Sequence, residues 1–266
     1  MFKAFFSLSK LPFDKESEAS AFFASTCFKE ALGRLEYLKT TRGIGVITGD
    51  PGSGKTSLLR SFAKSLPANL FKPVYFALST VTVLDFYRGL AYGFGEQPKF
   101  RKIDLFAQIQ SAIISLYSEK RITPIIFLDE MHLASNQFLT DICLLFNFAM
   151  DSLNPFVLVL TGLPHFADKL KLTHNLPLRQ RIVSKFQLVP LNYDETTDYI
   201  NHRMKLAGAN QDVFTPAAIS AIASNSRGLI REINSLATNS LIAAAQMKSN
   251  LVDKEAVYSA VSDLAI

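Results

Sequence analysis

Long apolar stretches are the first thing this chain lacks. The longest are as short as Phe156-Val-Leu-Val-Leu160 and Leu241-Ile-Ala-Ala-Ala245, well under the eighteen or so residues that a membrane-spanning helix needs. No secretory leader is expected either. The opening Met1-Phe-Lys-Ala-Phe-Phe-Ser-Leu-Ser-Lys10 is partly apolar, but Lys10 and Pro12 cut it before a signal-peptide core can form, and no small-residue cleavage site follows. These absences predict a cytoplasmic protein with no membrane partner. Cysteine is scarce: Cys27 and Cys143 lie far apart in helix-like stretches without metal-ligand spacing, which leaves buried reduced thiols as the expectation. Disorder is excluded by the opposite measure, since 48% of the 266 residues are hydrophobic, enough for one large α/β domain or a domain with a small appendage.

What is present centres on residues 43–57. A β-branched run from about Ile44 to Thr48 breaks into Gly49-Asp-Pro-Gly-Ser-Gly-Lys-Thr-Ser57, the Gly-x4-Gly-Lys-Thr pattern of a phosphate-binding P-loop between a strand and a helix. Glycines at 49, 52 and 54 keep side chains out of the space that phosphates occupy and let backbone N–H groups turn inward. The helix from Lys55 adds the positive end of its dipole. On this spacing Gly49, Asp50, Pro51, Gly52, Ser53, Gly54, Lys55, Thr56 and Ser57 form the nucleotide cradle. Lys55 reaches the β- and γ-phosphates, and the Thr56 hydroxyl is a ligand for Mg²⁺.

Residues 124–130, Pro-Ile-Ile-Phe-Leu-Asp-Glu, read as a strand ending in two carboxylates. Asp129 is placed to hold Mg²⁺, and the adjacent Glu130 to polarise a water for in-line attack on a γ-phosphate, a role that a hydrolase needs and a nucleotide kinase does not. No Asn-Lys-x-Asp guanine-reading pattern occurs, so the expected nucleotide is ATP. Further strands are expected near 73–78, 156–162 and 186–190. Thr161 stands at the carboxyl end of one of them, the end that faces the ligand crevice in a parallel sheet. Arg179 and Arg181 close a short helix before the last strand.

Charge is unevenly divided. Residues 1–190 hold 22 Lys and Arg against 15 Asp and Glu, a balance of +7, whereas residues 191–266 hold 6 against 8, a balance of −2. The basic part suits a polyanion, either the nucleotide alone or a nucleic acid as well. Between helices read at 82–95 and 104–119, the second capped by Asp104, the loop carries Lys99, Arg101 and Lys102 around Phe100, a candidate grip on a phosphate backbone. Thr80 and Thr82 are a second candidate surface. An amphipathic helix at 26–39 and the Phe-rich stretch before it either wrap the adenine side of a nucleotide or pack on the sheet edge. The last 76 residues read as four helices, with caps at Thr215 and Asp253. Arg231 sits one turn into the third of them.

Taken in order, these pieces resemble the AAA+ ATPases over nearly the whole chain. Asp129-Glu-Met-His132, Gly162-Leu-Pro, Leu178-Arg-Gln-Arg-Ile182, Tyr199-Ile-Asn-His-Arg203 and Gly228-x-x-Arg231-x-Ile-Asn234 look like the ExeA/GspA-type branch, which is similar to transposon target selectors such as TnsC, MuB and IstB. The resemblance implies an α/β P-loop NTPase domain over 1–190, including an N-terminal extension at 1–40, with a five-stranded parallel sheet sandwiched by helices. It implies a small α-helical lid over 191–266. It makes Thr161 sensor 1, Arg231 sensor 2, and Arg181 or Arg179 the arginine finger given to a neighbouring subunit in a homo-oligomeric ring or helical filament. Met131-His132 and Thr161-Gly162-Leu163 depart from the usual residues. The function so implied is ATP-dependent assembly on duplex DNA with recruitment of a transposase or other recombinase, the alternatives being a secretion-assembly ATPase and a nucleotide-switched binding protein. Secretion members of the branch look longer, with a transmembrane segment and a wall-binding domain, and this chain stops after the lid, which favours the DNA reading.

Overall fold

The computed structural model describes residues 2–14, 22–77 and 82–264. In chain order the elements are α1 (Phe2–Phe5), α2 (Thr26–Thr41), β1 (Gly43–Gly49), α3 (Lys55–Ser65), β2 (Phe71–Ala77), α4 (Val83–Gly93), α5 (Lys102–Ile114), β3 (Thr123–Asp129), α6 (Asn136–Leu145) and β4 (Val157–Gly162). There follow α7 (Pro164–Lys169), α8 (Leu176–Gln180), β5 (Ile182–Leu188), α9 (Tyr193–Leu206), α10 (Pro216–Ser226), α11 (Ile230–Gln246) and α12 (Lys254–Leu264). Contacts divide the chain into two compact units. One comprises Phe28–Gly49 and Lys55–Leu188; the other comprises Met1–Cys27, Asp50–Gly54 and Val189–Ile266.

The first unit is an α/β sandwich. Its five strands run in the order β2-β3-β4-β1-β5, all parallel. The inner strands β1, β3 and β4 are buried almost throughout, as strands covered on both faces must be, and for that reason they read as unbroken apolar runs. Helices cover both faces. Phe62 of α3 meets Phe127 edge-on with centroids 6.2 Å apart, while Phe86 of α4 meets Phe76 at 5.3 Å, and Phe76 and Phe127 occupy opposite pleats. The helix α2 packs on β1 and on the edge strand β5 beside it: a Cβ on Gly45 would collide with Leu38 Cδ2, so only glycine lets the helix approach β1 that closely, and Arg34 of the same helix reaches β5.

Both sheet edges are marked. The strand β2 contains Pro73, and in β5 the Arg34 guanidinium donates to the Lys185 carbonyl at 3.1 Å while stacking over Phe186 at 4.9 Å. The last strand starts four residues earlier than its apolar content suggests, because inward and outward residues alternate along Ile182–Leu188 and Ser184 and Lys185 interrupt its apolar residues. Similarly, α5 begins at Lys102. Asp104 therefore lies inside its first turn, and the N-cap, Arg101, makes no side-chain cap bond.

The second unit is helical. Thr215 accepts a hydrogen bond from Ala218 N at 3.2 Å with Pro216 at the first turn of α10, and Asp253 accepts from Ala256 N at 2.9 Å ahead of α12, both as the sequence predicts. Its apolar core gathers Tyr199, Ile200, Ile222, Ile233, Leu241 and Val257. The described N-terminal residues belong to this core, not to the sheet that they precede. Leu8 and Phe13 are buried in it, Ser9 Oγ donates to the Ala207 carbonyl at 2.8 Å, and Arg203 donates to the carbonyls of Pro12 and Asp14 at 2.6 and 2.8 Å. Among the described residues, no helix is long and apolar enough to cross a membrane.

Candidate active site

The strand order brings two candidate side chains and the end of β1 together at one end of the sheet. Because β4 lies between β3 and β1, Asp129 at the end of β3, Thr161 near the end of β4 and the loop leaving β1 at Gly49 are neighbours. Lys55, the first residue of α3, is buried, and its Nζ donates to the Gly49 carbonyl at 2.8 Å. The ammonium is thus folded back onto the end of β1. Thr56 follows on the first turn, with its Oγ1 donating to Asp129 Oδ2 at 3.0 Å.

Asp129 is 2% exposed and is held by four donors. Its Oδ1 accepts from the Glu130 backbone N–H at 2.9 Å and from the wholly buried Thr161 hydroxyl; its Oδ2 accepts from Thr56 and, at 3.1 Å, from the hydroxyl of Tyr75. Burial and then the nearby Asp129 charge push the Tyr75 phenol up to about 12, so it remains a donor at any working pH. Nothing in the sequence marks Tyr75. It reads as one more apolar strand residue, and the pairing of Tyr75 with Phe127, two residues short of Asp129, brings its hydroxyl there.

Glu130 leaves the strand in the left-handed region, φ 60°, ψ 34°. For a residue with a side chain this is a strained backbone, a feature that collects at functional sites. Its carboxylate lies half-exposed, with Oε2 3.4 Å from His132 Nδ1. The His132 ring stands edge-on to His165, centroids 5.3 Å apart, and burial, outweighing the Glu130 charge, lowers its pKa below the usual histidine value.

The centre of the phosphate loop, Asp50–Gly54, clusters with the helical unit. The Arg231 backbone N–H donates to the Gly52 carbonyl at 3.3 Å. With Gly52 at φ +80°, a Cβ there would strike the Arg231 Cβ at 2.6 Å, so this glycine answers both a backbone and a packing demand. The hydroxyl of Ser53 is buried and has no hydrogen-bond partner among the described residues. In the α/β unit the buried lysine and the Thr56–Asp129 oxygen pair fit a phosphate with a hard divalent cation; in the other, the positive-φ glycines and buried hydroxyl of Asp50–Gly54 fit a phosphate-binding turn.

The two arginines before β5 separate. Arg181 is engaged, donating from Nη1 to the Cys143 carbonyl at 2.6 Å and pairing through Nε with Asp151 at 3.2 Å. Arg179 is exposed. The basic loop is less available than its sequence implies. Arg101 is paired with Asp104 at 2.7 Å and Lys102 with Asp141 at 2.6 Å, although Phe100 between them is 86% exposed. Thr82 is spent on capping α4, its Oγ1 accepting from Asp85 N at 3.2 Å. Thr80 lies outside the described residues.

A family model described as an AAA domain matches residues 38–170, which spans β1, the loop, Asp129-Glu130 and the Thr161 strand. The chain belongs to the AAA domain family. Within that family it is similar to the General secretion pathway protein A of Aeromonas hydrophila, with 29% identity over 92% of this chain and 45% of that protein. It thus spans under half of that relative's length. Among solved structures it resembles the ORC2 protein of Aeropyrum pernix in ADPNP–ADP complexes, with a TM-score of 0.72 and 17% identity over 96% of this chain and 72% of the other. It also resembles the ORC1 protein of the same organism in complex with DNA, with a TM-score of 0.67 and 18% identity over 94% and 68%. At such identities these neighbours establish an AAA fold with its α/β P-loop core.

Proposed function

We propose that this AAA chain binds ATP with Mg²⁺ and hydrolyses it. The observation that carries the reading is the Asp129 carboxylate, buried, held on both oxygens and bonded to the Thr56 hydroxyl directly after the P-loop lysine. Thr56 and Asp129 are the oxygen groups that would hold Mg²⁺, which when bound neutralises charge between the β- and γ-phosphates. Lys55 binds the same phosphates as a point charge, and the Gly52–Gly54 backbone supplies their N–H donors. Glu130, beside but not part of the metal pair, accepts a proton from the attacking water, while Thr161 keeps Asp129 oriented. Glu130→Gln should therefore retain ATP binding and lower hydrolysis about 10²- to 10⁴-fold, the usual worth of a positioned general base. Parental phosphate release by that variant would overturn the assignment. Lys55→Ala should instead lose nucleotide affinity in calorimetry.

Assembly into a homo-oligomer with the finger at Arg179 is the companion proposal. Arg179 is exposed, whereas Arg181 already holds Asp151 and the Cys143 carbonyl. For the wider role, similarity to a secretion-pathway protein supports an assembly ATPase working where ATP is supplied, in the cytoplasm. The length argument for the DNA reading loses its force, since the likeness spans only 45% of that relative. Duplex DNA binding is the second reading. The +7 balance of residues 1–190 and the ORC1 neighbour solved with DNA favour it, the ion-paired loop weighs against it, and recruitment of a transposase rests on the sequence resemblance alone. An ATP-dependent anisotropy shift of a labelled duplex at low salt would favour the DNA role, and no shift the assembly role.

A further inference from the structure

The proposed metal site has a competitor inside it. A carboxylate offers about four lone-pair positions, and on Asp129 all four are taken, by Glu130 N, Thr161, Thr56 and Tyr75. For Asp129 to receive Mg²⁺ or one of its waters, a donor must leave. Glu130 N is main chain, and Thr161 is wholly buried at a strand end. Thr56 is itself a ligand of the same ion. Tyr75 differs from all three. It lies on the outermost strand, is 52% exposed, and borders an open cavity of about 480 Å³ lined by Thr56, Leu59, Arg60, Ala63, Pro73 and Phe127, into which its ring can turn.

Resting on the Mg²⁺–ATP reading, we infer that the Tyr75 hydroxyl occupies the place on Asp129 that the metal's hydration shell takes, so that Tyr75 is a displaceable gate on the cation site. In the metal-free protein it fills the second acceptor position of a buried carboxylate oxygen whose other donor is Thr56; on loading it turns out to water. Its presence sets the cation concentration at which the site fills, and the metal-free nucleotide affinity is independent of it.

The test uses the full chain and Tyr75→Phe, which keeps the ring and removes only the hydroxyl. Affinity for a fluorescent ATP analogue in EDTA should be equal in the two proteins. Mn²⁺ is then titrated into the nucleotide-bound proteins with free Mn²⁺ read by electron paramagnetic resonance, a readout independent of turnover. Half-saturation in Tyr75→Phe should fall about two- to tenfold, the span of one net hydrogen bond. An unchanged half-saturation, or a raised one that would make Tyr75 a support of the ion, overturns the inference while leaving the ATP reading intact. If neither protein bound the analogue with or without Mn²⁺, the ATP reading would fall and the inference with it.

Discussion

Replacing Lys102 should weaken the fold rather than uncouple the chain from a polyanion. Its Nζ lies 2.6 Å from Asp141 Oδ1, and the two side chains are unequal, Lys102 being 50% exposed and Asp141 only 7%. The other Asp141 oxygen accepts from the neutral Gln137 amide at 3.2 Å. Lys102→Met thus leaves a buried carboxylate with one uncharged donor. Breaking a fully buried pair costs about 3–5 kcal/mol, and losing one hydrogen bond to a charged group about 1.5–3 kcal/mol. With water reaching the lysine end, the lower range applies, giving about 2 kcal/mol. Urea unfolding of Lys102→Met, Asp141→Asn and the double variant, followed by circular dichroism, should give a coupling of about 1–2 kcal/mol between the sites. Charge reversal at Lys102 should be worse, since it sets two carboxylates together. A loss under about 0.5 kcal/mol, the range of ordinary surface substitutions, combined with a flattened salt dependence of duplex binding, would refute this reasoning and restore Lys102 as a solvated DNA contact.

Two further outcomes are expected. Mixing Arg179→Ala with Glu130→Gln subunits should recover some hydrolysis, because mixed interfaces pair an intact arginine with an intact carboxylate; recovery with Arg181→Ala in its place, and none with Arg179→Ala, would move the finger. Because burial lowers the His132 pKa, the folded protein resists a proton that the unfolded chain accepts. Stability attached to His132 is therefore present above about pH 6.5 and lost as pH falls below it. His132→Gln should make unfolding less acid-sensitive in that window, and an identical pH profile for the variant would refute the attribution.

The parts of the molecule legible in sequence are those where one chemistry permits few residues. The phosphate loop needs glycines and a lysine at fixed spacing, and a strand buried on both faces must be continuously apolar, so β1, β3 and β4 declare themselves. Strand β5 hides because an edge strand alternates, and Ile-Val-Ser-Lys-Phe carries no apolar run. Tyr75 hides for another reason: its partner is 54 positions away, brought near only by strand pairing. The loop at 99–102 misleads because charge is visible in sequence but its neutralisation is not. Asp104 reads as a cap and Asp141 as one more helix residue until the fold sets them against Arg101 and Lys102.

The two edges of the sheet carry a consequence for self-association. A proline within β2 removes a main-chain donor at one border, and at the other Arg34 already claims the Lys185 carbonyl. Neither border offers a clean template for a further strand. Copies of this chain that gather into a ring or filament should therefore join through helices and side chains rather than by lengthening the sheet, and the same blocked borders should guard a crowded array of them against sliding into amyloid-like stacking.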